Sequence, residues 1–195
     1  MSDTQKIIDF MRYAEGLKTE LRRSSKSNGT PESVAEHCWS LSLLLILIES
    51  KLSVRIDLLK TLKMAVIHDL VEIEAKDVSV LEHIANHDRR TQKKEQESQA
   101  MESIRNALGN DSDEIHALWM EFEEQKTVEA KVLKALDRIE GQLQFLNENV
   151  RVFTKEEQPV LDSLFESTNR LVKVDPVIQE LYGLFFDDIK KRVTR

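Results

Sequence analysis

Cysteine is nearly absent: the 195 residues contain one, Cys38. That excludes an internal disulfide and a zinc cage built from several thiolates, and makes a reducing compartment the default expectation. Proline (3) and glycine (5) are also scarce. So few breakers predict long uninterrupted elements, which suits helices better than short strands. The longest apolar run, Leu43 to Ile48, is far short of the roughly 20 residues a bilayer requires. The first residues, Met-Ser-Asp-Thr-Gln-Lys, are polar and lack the apolar stretch of a secretory signal. A net charge of -7 argues against nucleic acid or an anionic membrane as the main partner. It leaves room for a small anionic substrate, because a metal can invert the local field. The expectation is a soluble, cytoplasmic protein with no nucleic-acid or membrane partner.

With 41% hydrophobic and 32% charged residues, the composition is that of a globular chain rather than a disordered one. Its length fits one domain with a substantial core. Ile7, Phe10, Met11, Ala14, Leu17 and Leu21 recur at helical spacing and predict a helix from about Gln5 to Arg23. A polar break follows, Ser24 to Pro31. Ser33 and Glu36 form a capping-box signature, which puts His37 in the first turns of the next helix, on the stripe of Leu41, Leu44 and Ile48. A third helix is expected from Asp57, its N-cap, to about Glu74. Lys76 to Arg90 carries no clear pattern. Further helices are expected at about Thr91–Leu108, Asp111–Gln125 and Thr127–Asn147, and within Thr154–Val172, where Thr154 and Glu157 resemble a capping box. The last begins with Asp175 as N-cap and Pro176 at the first helical position. The reading is a single all-α domain over 1–195. Its core lies at about 30–145, with C-terminal helices at 154–192 packed on it.

The chemistry centres on His37, His68-Asp69 and Asp137. Asp69 follows the run Met64-Ala65-Val66-Ile67, and Asp137 follows Val132-Leu133-Lys134-Ala135-Leu136. A carboxylate on a core-facing surface is costly unless it is paired or bound to a cation. One metal shared by two carboxylates and two imidazoles solves that problem for all four. Two nitrogen and two oxygen donors suit one divalent transition metal such as Mn, Co, Fe, Ni or Zn. Each residue alone also has an ordinary reading: a satisfied core histidine, a chance His-Asp pair, or an Asp137 paired with Lys134 or Arg138.

Three segments carry a resemblance to a known family. They are Glu32-Ser33-Val34-Ala35-Glu36-His37, Lys63 through Glu72 with its His68-Asp69, and Lys134-Ala135-Leu136-Asp137-Arg138. In order, spacing and flanking residues they resemble the HD-domain phosphohydrolases, and within them the 5′-deoxynucleotidase branch. The resemblance implies a helical HD-domain bundle, often dimeric, with His37, His68, Asp69 and Asp137 as ligands to one divalent metal. It also implies catalytic and substrate-binding roles for Glu72 and Asp77, and a phosphate contact from Arg22, with Arg23 in reserve. Arginine suits phosphate because its planar fork can bind two oxygens. Two departures bear on sugar selectivity: Arg23 stands where some members have Trp, and Lys76 where many have Gly.

The implied activity is hydrolysis of (deoxy)nucleoside 5′-monophosphates, a small-molecule nucleotide substrate, by a homodimer. Two alternatives remain. His83, His87 and His116 could serve a two-metal HD phosphodiesterase, although Glu82, Asn86, Asp88 and Arg89 mark a solvated segment around the first two. The other is a non-catalytic nucleotide- or metal-binding protein. Trp119 and Phe122 read as core residues, and Cys38 as a packed thiol.

Overall fold

The computed structural model describes residues 2–77, 87–147 and 158–193. Among the described residues the regular structure is helical apart from one small hairpin. Helix α1 (Asp3–Ala14) ends in a 3₁₀ turn (Glu15–Lys18), and β1 (Leu21–Ser25) pairs antiparallel with β2 (Pro31–Ser33). Then come α2 (Val34–Ile48), α3 (Leu58–Ile67), the single turn α4 (Glu72–Ala75), α5 (His87–Leu108) and α6 (Asp113–Glu124). The long α7 (Val128–Asn147), α8 (Gln158–Leu171) and α9 (Pro176–Val193) complete the order. No described helix is long and apolar enough to cross a membrane.

Helix α7 is the hub, packing against α2, α3, α6, α8 and α9. Ala130, Val132, Leu133, Ala135, Leu136 and Ile139 are all fully buried on it, with Leu41 and Leu45 of α2 and Leu161 and Leu164 of α8 in the same cluster. A second apolar cluster gathers Leu17, Val34, Cys38, Leu70, Val71, Met101, Ile104 and Trp119. Helix α2 runs from the second cluster into the first, and His37 lies between Val34 and Cys38, its two buried contributions to the second.

Several local signals act as the sequence implies. Ser33 Oγ accepts from the Glu36 amide at 3.2 Å, while Glu36 accepts from the Ser33 amide at 2.8 Å, closing the capping box. Asp57 caps α3 through the Lys60 amide at 3.0 Å. Asp175 is fully buried and does more than cap α9. One carboxylate oxygen accepts from the Val177 amide, and the other accepts from the Ser53 and Val54 amides at 2.7 and 2.9 Å, tying down the α2–α3 connection.

Elsewhere the structure differs from the sequence pattern. The first helix stops at Ala14, and Leu21 to Arg23 belong to a strand. Pairing supplies the reason: a turn with Gly29 at φ +83° and the Lys26 amide donating to Thr30 at 2.8 Å folds Pro31–Ser33 back onto Leu21–Ser25, which holds that segment extended. The third helix is broken as well. Between Ile67 and Glu72 the backbone makes i→i+3 bonds, Leu70 to Ile67 and Glu72 to Asp69, both 2.9 Å. Helix α5 starts at His87 rather than near Thr91. Thr154 and Glu157 lie outside the described residues, as does His83.

Candidate metal and phosphate site

Three elements deliver the donor atoms. His37 comes from the first turns of α2, His68 and Asp69 from the tight turn after α3, and Asp137 from the middle of α7. Both imidazoles are buried and oriented from behind. His37 donates Nδ1–H to Glu140, and His68 donates Nδ1–H to the Ala65 carbonyl at 2.9 Å. Each bond leaves Nε2 as a lone pair aimed into the site. There His37 Nε2 lies 3.2 Å from Asp137 Oδ1 and 3.8 Å from Asp69 Oδ2, while His68 Nε2 lies 3.2 Å from Asp69 Oδ2. Ligating atoms of His37, His68 and Asp69 all fall within 4.8 Å of one another.

Both Nε2 atoms are buried without a hydrogen-bond partner. A lone pair facing a carboxylate oxygen is repulsive, so a cation belongs between them. Burial and the Arg22 charge oppose protonation of His37, yet Asp137 and Glu140 push it up to about 10. Burial opposes that of His68 too, and Asp69 raises it well above the usual histidine range. Against burial, His68 holds Asp69 below the usual carboxylate range, while Lys134 and His37 do the same for Asp137. Two imidazole nitrogens and two ionised carboxylates fit a divalent cation.

An HD-domain profile matches residues 14–175. The chain belongs to the HD-domain family. Over 171 residues, 83% of this chain and 87% of its relative, it is 32% identical to 5′-deoxynucleotidase HDDC2 of Dictyostelium discoideum. It is 30% identical to the Xenopus laevis protein of that name, covering 72% of this chain and 68% of that one. A predicted metal-dependent phosphohydrolase from Magnetospirillum magnetotacticum shares the fold, with a TM-score of 0.82 over 98% of this chain and 97% of that one at 24% identity.

The other residues expected at this HD-domain site divide. Arg22 reaches in from β1: its Nη1 lies 3.5 Å from Asp69, and its charge is reinforced by Asp69, Asp77, Asp137 and Glu72 against the cost of burial. Arg23 follows it in the strand and is exposed, as strand alternation requires. Glu72 is buried, with one oxygen accepting from Lys93 Nζ at 3.0 Å and the other, Oε2, buried without a partner. Burial, then the Asp69 charge, raises its carboxyl to about 8. Asp77 is half-buried and anchored by its amide to Glu20 at 3.1 Å. Its carboxyl is raised by burial, with Arg22, Asp69, Lys93 and His37 as its electrostatic neighbours.

The ordinary reading of Asp137 is partly right, since Oδ2 pairs with Lys134 at 3.0 Å while Oδ1 faces His37. Trp119, Phe122 and Cys38 are core residues, and Phe122 stands edge-on to His68 with ring centroids 5.0 Å apart. Sequence reasoning missed Lys93, which is buried between Glu72 and Glu97. It also missed Glu140 and Glu32, which flank His37 from behind. The signal for Glu140 was available: it lies one turn after Asp137 on a helix whose neighbouring positions are apolar.

Proposed function

We propose that this HD-domain protein is a metal-dependent phosphomonoesterase acting on nucleoside 5′-monophosphates, deoxynucleotides foremost. The observation that carries the reading is the convergence of His37, His68, Asp69 and Asp137 on one locus with Arg22 and Glu72 beside it. The names of the curated relatives support the substrate class.

A divalent metal held by His37, His68, Asp69 and Asp137 supplies Lewis acidity for phosphoryl chemistry. Arg22 binds phosphate oxygens through its fork and stabilises charge as the ester bond breaks. Lys93 holds one oxygen of Glu72, which leaves Oε2 to orient the attacking water and accept its proton. Asp77 contacts the sugar or assists the leaving oxygen. Arg23, the reserve phosphate contact, is exposed in the same strand while Arg22 faces Asp69, so Arg22 takes the phosphate role.

The two-metal alternative rests mainly on His83 and His87, whose side chains lie outside the described residues. The second acidic group (Glu32, His37, Glu140) already receives donors from Ser24 and Gln144, which suits a structural role. Trp39 (67% exposed), Leu43, Ile46 and Leu47 leave an apolar stripe on the outer side of α2, and we place a second copy of the chain there, in the cytoplasm. Sedimentation should give a dimer that Trp39→Glu converts to monomer; a wild-type monomer would remove that assignment.

The test of function is phosphate release from deoxy- and ribonucleoside 5′-monophosphates by chelator-stripped protein, before and after adding Mn, Co, Fe, Ni or Zn. Release should appear only with metal. Turnover by metal-free protein, or tight nucleotide binding with no turnover under any metal, would overturn it.

A further inference from the structure

Behind the metal locus lies a buried polar network that the proposed chemistry does not use. Glu32 (2% exposed), Glu140 (3%) and Gln144 (9%) sit inside an otherwise apolar interior. Two carboxylates buried side by side are costly, and such groups persist only when fully paired. Here the pairing is specific. The Gln144 amide nitrogen donates to Glu32 at 3.2 Å and to Glu140 at 3.0 Å, bridging the two. Glu140 gives its other oxygen to His37 Nδ1. Glu32 gives its other oxygen to Ser24 Oγ at 3.0 Å and, in an ion-pair contact at 3.5 Å, to Arg22 Nε.

Followed from atom to atom, these contacts close a ring. It runs from Arg22 through Glu32, Gln144 and Glu140 to His37, then across the metal locus to Asp69 and back to Arg22 Nη1 at 3.5 Å. Arg22 and Glu32 belong to the two strands of the hairpin, whereas Glu140 and Gln144 are one turn apart on α7. The ring therefore fastens the hairpin to the helix that carries Asp137. Arg22 Nε lies 3.5 Å from Glu32 as a charge contact without a hydrogen bond, which leaves Nη1 and Nη2 toward the site, and Nη2 passes over Gly141, 3.5 Å from where a Cβ would stand.

We infer that Glu32, Gln144 and Glu140 are positioning residues that set the phosphate-gripping Arg22 at a fixed distance from the metal ligand His37, coupling anion binding to metal binding. The inference rests on the proposed function only for the role of Arg22 as a phosphate contact.

The test measures binding rather than turnover, with two probes: Mn²⁺ added to stripped protein, and inorganic phosphate added to Mn²⁺-loaded protein, both by calorimetry. Glu140→Gln should weaken Mn²⁺ binding by about 10–100-fold, the usual effect of removing the partner that orients a ligating histidine. Glu32→Gln should weaken phosphate binding by about 10-fold while changing Mn²⁺ affinity less than about 3-fold, and combining it with Arg22→Lys should add little to Arg22→Lys alone, as non-additive partners do. Gln144→Met, which removes the bridge and keeps the volume, should weaken both and carries the test if Glu32→Gln fails to fold. A purely structural network predicts lower melting temperatures with both affinities unchanged, and that result overturns the inference. So does full additivity of Glu32→Gln and Arg22→Lys, or absence of phosphate binding to the loaded wild type. If phosphate binds as expected and no nucleotide is hydrolysed, the proposed function falls and the coupling stands.

Discussion

Removing the metal should destabilise the folded chain by an amount that the structure bounds. His37 Nε2 and His68 Nε2 are buried and lack partners, and each such group costs about 1–3 kcal/mol. A cation that satisfies both would recover roughly 2–6 kcal/mol on that count. Mass action gives an independent figure: a ligand at about 100–1,000 times its Kd stabilises by about 2.7–4.1 kcal/mol. The two ranges overlap. For a chain of this size each kcal/mol moves Tm by about 2–4 °C, so loading stripped protein should raise Tm by about 5–16 °C. Differential scanning calorimetry with and without Mn²⁺ or Co²⁺ reads it directly. Asp137→Asn removes an ionised donor and should reduce the rise to under about 2 °C on the same scale. The comparison must use the shift rather than the absolute Tm, because this variant also loses the pair with Lys134. An equal rise in wild type and Asp137→Asn would mean that the metal binds elsewhere, and the assignment of these four ligands would be wrong.

Glu72→Gln should bind metal as tightly as wild type, by elemental analysis, and lose about 10²–10⁴-fold in kcat, the range for a general base; an unchanged kcat would remove Glu72 from the mechanism. In stripped protein the Glu72 carboxyl is raised to about 8, so the folded state holds that proton more tightly than the unfolded chain does. Its contribution to stability is complete below the ordinary glutamate range and is lost as pH rises through about 8, by at most about 1.4 kcal/mol per pH unit. His37, pushed up to about 10, acts in the same direction, so the urea midpoint should fall from pH 6 to 9, and Glu72→Gln should flatten part of that slope. Asp175→Ala strips a fully buried carboxylate from three amides and should cost about 2–4 kcal/mol in urea unfolding with metal affinity intact; a change under about 0.5 kcal/mol would show that water replaces the carboxylate.

The candidate ligands His68, Asp69 and Asp137 were legible because they interrupt apolar runs: His68-Asp69 ends Met64 to Ile67, and Asp137 follows Val132 to Leu136. Burial supplied the physical argument for the two aspartates, whereas His37 and His68 drew most of their support from the family resemblance. The hairpin was not legible. Leu17 and Leu21 keep helical spacing with Ile7 and Ala14, yet Leu21 is exposed in a strand. Periodicity cannot see the pairing with Pro31–Ser33 that overrides it. Lys93 was hidden differently. It lies in the polar stretch Gln92-Lys93-Lys94-Glu95, which reads as a solvated face, and only the packing of α5 against α4 buries it beside Glu72.

The hairpin is what brings Arg22, the proposed phosphate contact, to the candidate metal locus among the described helices. A continuous helix through Arg22 and Arg23 would aim the two side chains only about 100° apart, with neither directed by a partner across the chain. In a strand, successive residues point to opposite faces, so Arg22 turns inward to Asp69 while Arg23 is exposed. Pairing with β2 then brings Glu32 alongside Arg22, and the capping box that begins at Ser33 starts α2 so that His37 falls over Glu140. One short stretch, Glu32 to His37, therefore contributes an arginine partner, a helix start and a proposed metal ligand. That is the physical content of the first motif: its residues are spaced by the geometry of a strand passing directly into a capped helix, and an insertion between Glu32 and His37 would separate the proposed phosphate contact from the proposed metal ligand.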